Sequence, residues 1–245
     1  MSRYQPVIVK KEIDTSHYYW VGMDEQNLEF VPSVTKILHE GMPTPLALKM
    51  WLMDVGAEKA EKKLNDAGAR GSMLHDMCES LLLGNKIESK TISNERDKKC
   101  VASFINWCAE YQPEIKEQNH IEFIVASTLG YAGTMDIFCT IKGEPYIVDI
   151  KTSANIYPEH MLQITAYQEA FYEMTEIKAK RAILHLNPLT KKGYNFIEKI
   201  EIKKKPVTIS DFICAFDMYK MINGGIISQP PKITVYPELF ELTKQ

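Results

Sequence analysis

Hydrophobic and polar positions change their period near residue 120 of this chain. Between Tyr4 and Val31 the apolar residues come in short runs, HYYWV and LEFV, separated by the polar stretch GMDEQN, which predicts short strands joined by turns. Ser33 stands where a helix cap belongs, ahead of VTKILHE, and Pro43 and Pro45 punctuate the next start. From Pro45 to about Tyr111 the spacing is helical: LALKMWLMDV, the charged AEKAEKKLNDA, then GSMLHDMCESLLLG, then NERDKKCVASFINWCAEY. From Ile121 the pattern turns strand-like in IEFIVAS, TMDIFCTI and PYIVDIKT, with LGYAG and KGE expected as the turns between them. A helix over PEHMLQITAYQEAFYEM follows, then the strand AKRAILHLN, a basic turn PLTKKG, the strand YNFIEKIEI and a last helix around SDFICAFDMYKMI. No repeat, low-complexity tract or linker interrupts this order. The pattern predicts one α/β domain over residues 1–245, with a helical N-terminal part at about 33–111 wrapped onto a central mixed sheet at about 121–222.

Composition narrows the classes. The 245 residues are 45% hydrophobic and 25% charged, enough apolar material for a substantial core. A net charge of −3 excludes the overall basic field of a protein that coats nucleic acid, so any polyanion must meet a local patch. Cys78, Cys100, Cys108, Cys139 and Cys214 are scattered, odd in number and never in a CxxC pair, which argues for reduced thiols and against a zinc ribbon or a disulfide framework. No apolar run is long enough to span a bilayer. The first twenty residues lack an apolar signal core, and Glu12 and Asp14 do not suit a transit peptide. A cytoplasmic protein without a membrane partner is expected.

The stretch EPYIVDIKTS carries the candidate chemistry. Side chains alternate along a strand, so Asp149 and Lys151 share one face while Val148 and Ile150 share the other. A solvated ion pair at a strand end is one reading. Asp136 supplies another: it lies thirteen positions earlier, and a turn near Lys142–Glu144 sets it nearly opposite Asp149. Two facing carboxylates repel and are costly to bury without a counter-charge. Lys151 neutralises one of them, whereas a divalent cation such as Mg²⁺ or Mn²⁺ neutralises both. His75 and Glu79 stand four apart at the edge of the apolar arc Leu74, Met77, Cys78, Leu81 and Leu82, either as a boundary pair or as a ligand delivered from a helix. Gln163 and Tyr167 repeat that spacing, so that an amide and a phenol can face one pocket.

Taken in order, RGSMLHDMCES, GTMD, VDIKTS and QITAY resemble the RecB-type branch of the PD-(D/E)XK nuclease superfamily over roughly residues 28–170. FVPSVTKIL and KMW are similar to the start of the mitochondrial genome maintenance exonuclease and its bacteriophage relatives. The resemblance implies a restriction-endonuclease-like core and a metal-dependent DNA exonuclease preferring single strands or DNA ends, working with recombination or replication proteins in a bacterial or phage-infected cytoplasm. A duplex-end exonuclease, a structure-specific endonuclease and an inactive DNA-binding subunit are the alternatives. It implies that His75, Asp136, Asp149 and the Ile150 backbone carbonyl hold Mg²⁺ or Mn²⁺, and that Lys151 orients the attacking water. Gln163 and Tyr167 then support the lysine, Glu79 stands behind the ligands, and Arg70 reaches a phosphate. Some relatives hold an iron–sulfur cluster on one early and three late cysteines; here only Cys214 is late, so no such cluster is expected.

Lys191, Lys192 and Tyr194 in the basic turn, and the lysines of IEIKKKP, either track a nucleic-acid backbone or solvate a turn and an edge strand. AEKAEKKLND is either one arm of a strand passage or a solvated helix face. Trp51, Trp107 and the methionines of KMWLMD are expected in the core.

Overall fold

The computed structural model describes residues 4–13, 16–187 and 189–224. An antiparallel meander opens it, from β1 (Val7–Ile13), β2 (Ser16–Gly22) and β3 (Glu29–Val31). Ser33 accepts a hydrogen bond from the Lys36 backbone N–H and so caps α1 (Val34–Gly41). Helices α2 (Leu46–Val55), α3 (Ala57–Leu82) and α4 (Glu95–Tyr111) follow. Then come β4 (Ile121–Ser127), β5 (Tyr131–Ile141), β6 (Glu144–Lys151), α5 (Pro158–Thr175), β7 (Lys180–Leu186) and β8 (Tyr194–Ile197). A small hairpin, β9 (Glu201–Ile202) with β10 (Lys205–Pro206), leads into α6 (Ile209–Ile222).

The main sheet has the order β4-β5-β6-β7-β8 and is antiparallel except between β6 and β7, which run parallel with α5 as their crossover. It is a mixed five-stranded sheet in an α/β protein. Helices cover both faces, which is why β6 reads as an apolar run. One core joins Met135, Ile147 and Ile183 to α1, α5 and α6 through Ile37, Ala166, Phe171 and Phe212. The other joins Ile137, Val148, Ile150 and Leu184 to α3 and α4 through Leu74, Cys78, Phe104 and Trp107. The meander packs through Tyr19, Val21 and Val31 on Ala126 and Ala132, and Tyr19 shares a 2.8 Å hydrogen bond with Thr134.

Four sequence expectations are corrected. Only Thr128–Gly130 of the LGYAG region turns; Tyr131, Ala132 and Gly133 belong to β5. Gly133 is there because the Tyr167 ring of α5 lies on it, 2.6 Å from where a Cβ would stand. YNFIEKIEI is two short strands, with a break at 198–200. The charged stretch and GSMLHDMCESLL form one 26-residue helix, α3, uninterrupted at Gly68 and Gly71; two glycines cost a helix about 2 kcal/mol, which the packing of its C-terminal half offsets. Trp107 is fully buried, but Trp51 is not, and α2 buries none of its residues, with Met53 84% exposed. Its neighbour is the exposed N-terminal half of α3 rather than the sheet.

The β5–β6 hairpin turns on Lys142 and Gly143, both at positive φ, as the two-residue turns that match strand twist require. That turn sets the register up to Ile137↔Val148, the last pair of the ladder, and Asp136 and Asp149 are the residues that follow it on the two strands.

Candidate active site

At Asp136 the alternation of β5 resets. Met135 faces α5, Ile137 faces the opposite core, and Phe138 faces α5 again. Asp136, at the reset, brings its carboxylate Oδ2 to 3.5 Å from His75 Nδ1 of α3. The same carboxylate accepts the backbone N–H of Ile150 at 2.6 Å, taking a ladder position that the β5 backbone has vacated. A strand residue projects its N–H and C=O to the same edge, so the Ile150 carbonyl points to this gap as well. Opposite Asp136 on β4 stands Glu122, in the left-handed region at φ 54°. That conformation is costly for a residue with a side chain, and it lies where the strands part.

Asp149 is 1% exposed. Lys151 Nζ lies 2.8 Å from its Oδ2, and no other donor among the described residues reaches the carboxylate. Burial pushes both acids up to about 6, Asp136 against the opposing pull of Lys151 and the Ile150 N–H, and Asp149 against Lys151 with Asp136 adding to the rise. Burial alone would lower Lys151, but the charges of Asp149 and Asp136 outweigh it and hold the ammonium above its ordinary value. His75 is held below its ordinary value by burial and by the charge of Lys151, which leaves a neutral imidazole with a free lone pair.

Behind this group, Glu79 is pushed up to about 8 by burial and then by Glu122, Asp136 and Asp76. Glu122, which pairs with Lys10 at 3.3 Å, is the neighbour that sequence reasoning missed. Its strand alternation carries no signal for it; only the positive φ opposite Asp136 marks it. Gln163 donates to the Tyr167 hydroxyl at 3.0 Å, and burial raises the Tyr167 phenol, with Asp149 and Asp136 adding to the rise. His185 of β7 bonds the Ser153 carbonyl at 2.8 Å and so fixes the loop that follows Lys151.

His75, Lys151 and Gln163 line a cleft of about 560 Å³ together with Thr35, Arg70 and His160; Asp136 and Asp149 are not in its lining and reach it through His75 and Lys151. Arg70 stands in that wall, paired with Asp97 of α4. Lys192 and Tyr194 do not join the group: both bind Glu110, at the opposite end of α4 from Asp97, and the Tyr194 ring is buried. Lys191 is exposed and outside the cleft wall.

As placed, no three His, Cys, Asp or Glu side chains among the described residues close into a cation cage. The donor chemistry nevertheless suits a hard divalent ion. Asp136 and Asp149 are buried carboxylates that both stay raised beside a single lysine, and the neutral imidazole of His75 lies 3.5 Å from one of them. Among the described residues, no helix is long and apolar enough to cross a membrane. Neither the protein-family models nor the curated proteins give a match to this chain.

Proposed function

We propose that this chain is a Mg²⁺- or Mn²⁺-dependent deoxyribonuclease with a restriction-endonuclease-like core, of the RecB-type PD-(D/E)XK kind. It acts as an exonuclease on single strands or DNA ends. One observation carries the reading: Asp136 and Asp149, the residues that follow the last pair of the β5–β6 ladder, are buried, and each has a cleft-lining partner, His75 at 3.5 Å and Lys151 at 2.8 Å. The mixed sheet with helices on both faces supports it. Recombination, replication or repair in a bacterial or phage setting is the proposed context.

His75, Asp136, Asp149 and the Ile150 carbonyl would hold the ion. Once bound, it polarises a phosphoryl oxygen and lowers the pKa of its water, the two requirements for attacking an inert, anionic phosphodiester. Lys151, beside Asp149 and in the cleft lining, would steady the charge that develops on the phosphoryl oxygens or hold the attacking water. Ile150 anchors the strand in the core, and Gln163 and Tyr167 brace the wall, so these groups keep their positions within catalytic tolerance.

The test is degradation of end-labelled single-stranded DNA with Mg²⁺ or Mn²⁺, abolished by EDTA, on linear and circular substrates. Lys151→Ala should bind DNA and lose cleavage by several orders of magnitude. Wild-type rates from both Lys151→Ala and Asp149→Ala would refute the assignment.

A further inference from the structure

The cleft is cationic in a chain whose net charge is −3. Arg70, Arg96 and Lys151 line it with His75 and His160, and no aspartate or glutamate does. The two arginines come from different helices and are held differently. Asp97, 5% exposed, is buried in the first turn of α4 and takes the Arg70 Nε, while Cys100 Sγ lies 3.8 Å from another Arg70 nitrogen. This leaves Arg70 oriented, with its remaining N–H groups free for the cleft. Arg96, next to Asp97 in sequence, is exposed and makes no ion pair or side-chain hydrogen bond among the described residues. A buried acid thus spends its charge on fixing one guanidinium at the cavity wall, beside a second that is uncommitted. Two guanidiniums lining one cleft, one held by Asp97 with further N–H groups to spare and one without an ion pair among the described residues, match the tetrahedral oxygens of a phosphate.

We propose that Arg96 and Arg70 form a clamp for a backbone phosphate next to the one that reacts, with Asp97 as the positioning residue for Arg70. This rests on the nuclease reading and deepens it. The clamp sets the register of the strand over Lys151 and contributes binding rather than chemistry, because neither arginine contacts Asp136 or Asp149.

The experiment measures initial rates of the full chain with Mn²⁺ on single-stranded oligonucleotides, each carrying one uncharged methylphosphonate at a successive linkage. For wild type, one linkage beside the scissile bond should raise KM about tenfold when neutralised. Arg96→Ala should raise KM on the unmodified strand by a similar factor, keep kcat, and respond no further to that linkage. Its dependence of log KM on log salt should be shallower by about 0.7. Asp97→Asn should lose sensitivity at the same linkage if it folds; Arg96→Ala, a surface change, decides the matter alone. Equal responses of wild type and Arg96→Ala at every linkage overturn the clamp and leave the hydrolase standing. A wild-type protein that cuts no strand overturns both.

Discussion

Asp149→Asn is expected to stabilise the metal-free protein while abolishing its function. Moving a buried carboxylate from 3.8 to about 6 corresponds to about 3 kcal/mol of unfavourable charge burial at neutral pH. Asparagine keeps the shape and removes the charge. That value already contains the opposing pull of Lys151, 2.8 Å away, and so about 1–3 kcal/mol is expected. In a chain of this size that raises Tm by roughly 3–8 °C. The assay is thermal unfolding in EDTA and again in Mg²⁺ or Mn²⁺. Wild type should gain stability from the ion, and the variant should start higher and gain little. The sign with pH follows. Each acid binds its proton more tightly when folded, so the stabilising contribution is complete below pH about 4 and disappears as pH rises through about 6. The gap between variant and wild type should therefore open across that window. A variant less stable than wild type in EDTA at pH 7.5, or one that keeps the full ion-dependent gain, would refute the reasoning.

Cleavage at saturating substrate should rise with pH through about 6, because Asp136 and Asp149 must shed protons to hold a cation; an initial-rate pH profile reads it. Gly133→Ala should cost about 1–3 kcal/mol in denaturant unfolding, since its Cβ meets the Tyr167 ring at 2.6 Å with the strand unable to shift away. Lys192→Ala should leave DNA affinity within about twofold, because that ammonium is already committed to Glu110; fluorescence anisotropy measures it.

Much of the site was legible in the linear order. The two-residue turn at Lys142–Gly143 sets the ladder as far as Ile137↔Val148, because an antiparallel hairpin has a single register once its turn is set, and this brings the two acids to the same end of it. The i,i+4 spacings of His75 with Glu79 and of Gln163 with Tyr167 are likewise local facts of a helix. What the sequence could not carry is everything that depends on two elements meeting. The reset of β5 at Asp136, which swings that carboxylate onto the Ile150 N–H, looks like ordinary alternation in one dimension. Glu122 reads as a surface residue until β4 is laid against β5. Gly133 resembles a turn residue until Tyr167 covers it, and Asp97 resembles a helix-start acid until Arg70 arrives from α3. Period and turn chemistry are properties of neighbours in the chain. Desolvation, and hence the raised acids and the uncommitted arginine, is a property of neighbours in space, and only the packed tertiary structure decides it.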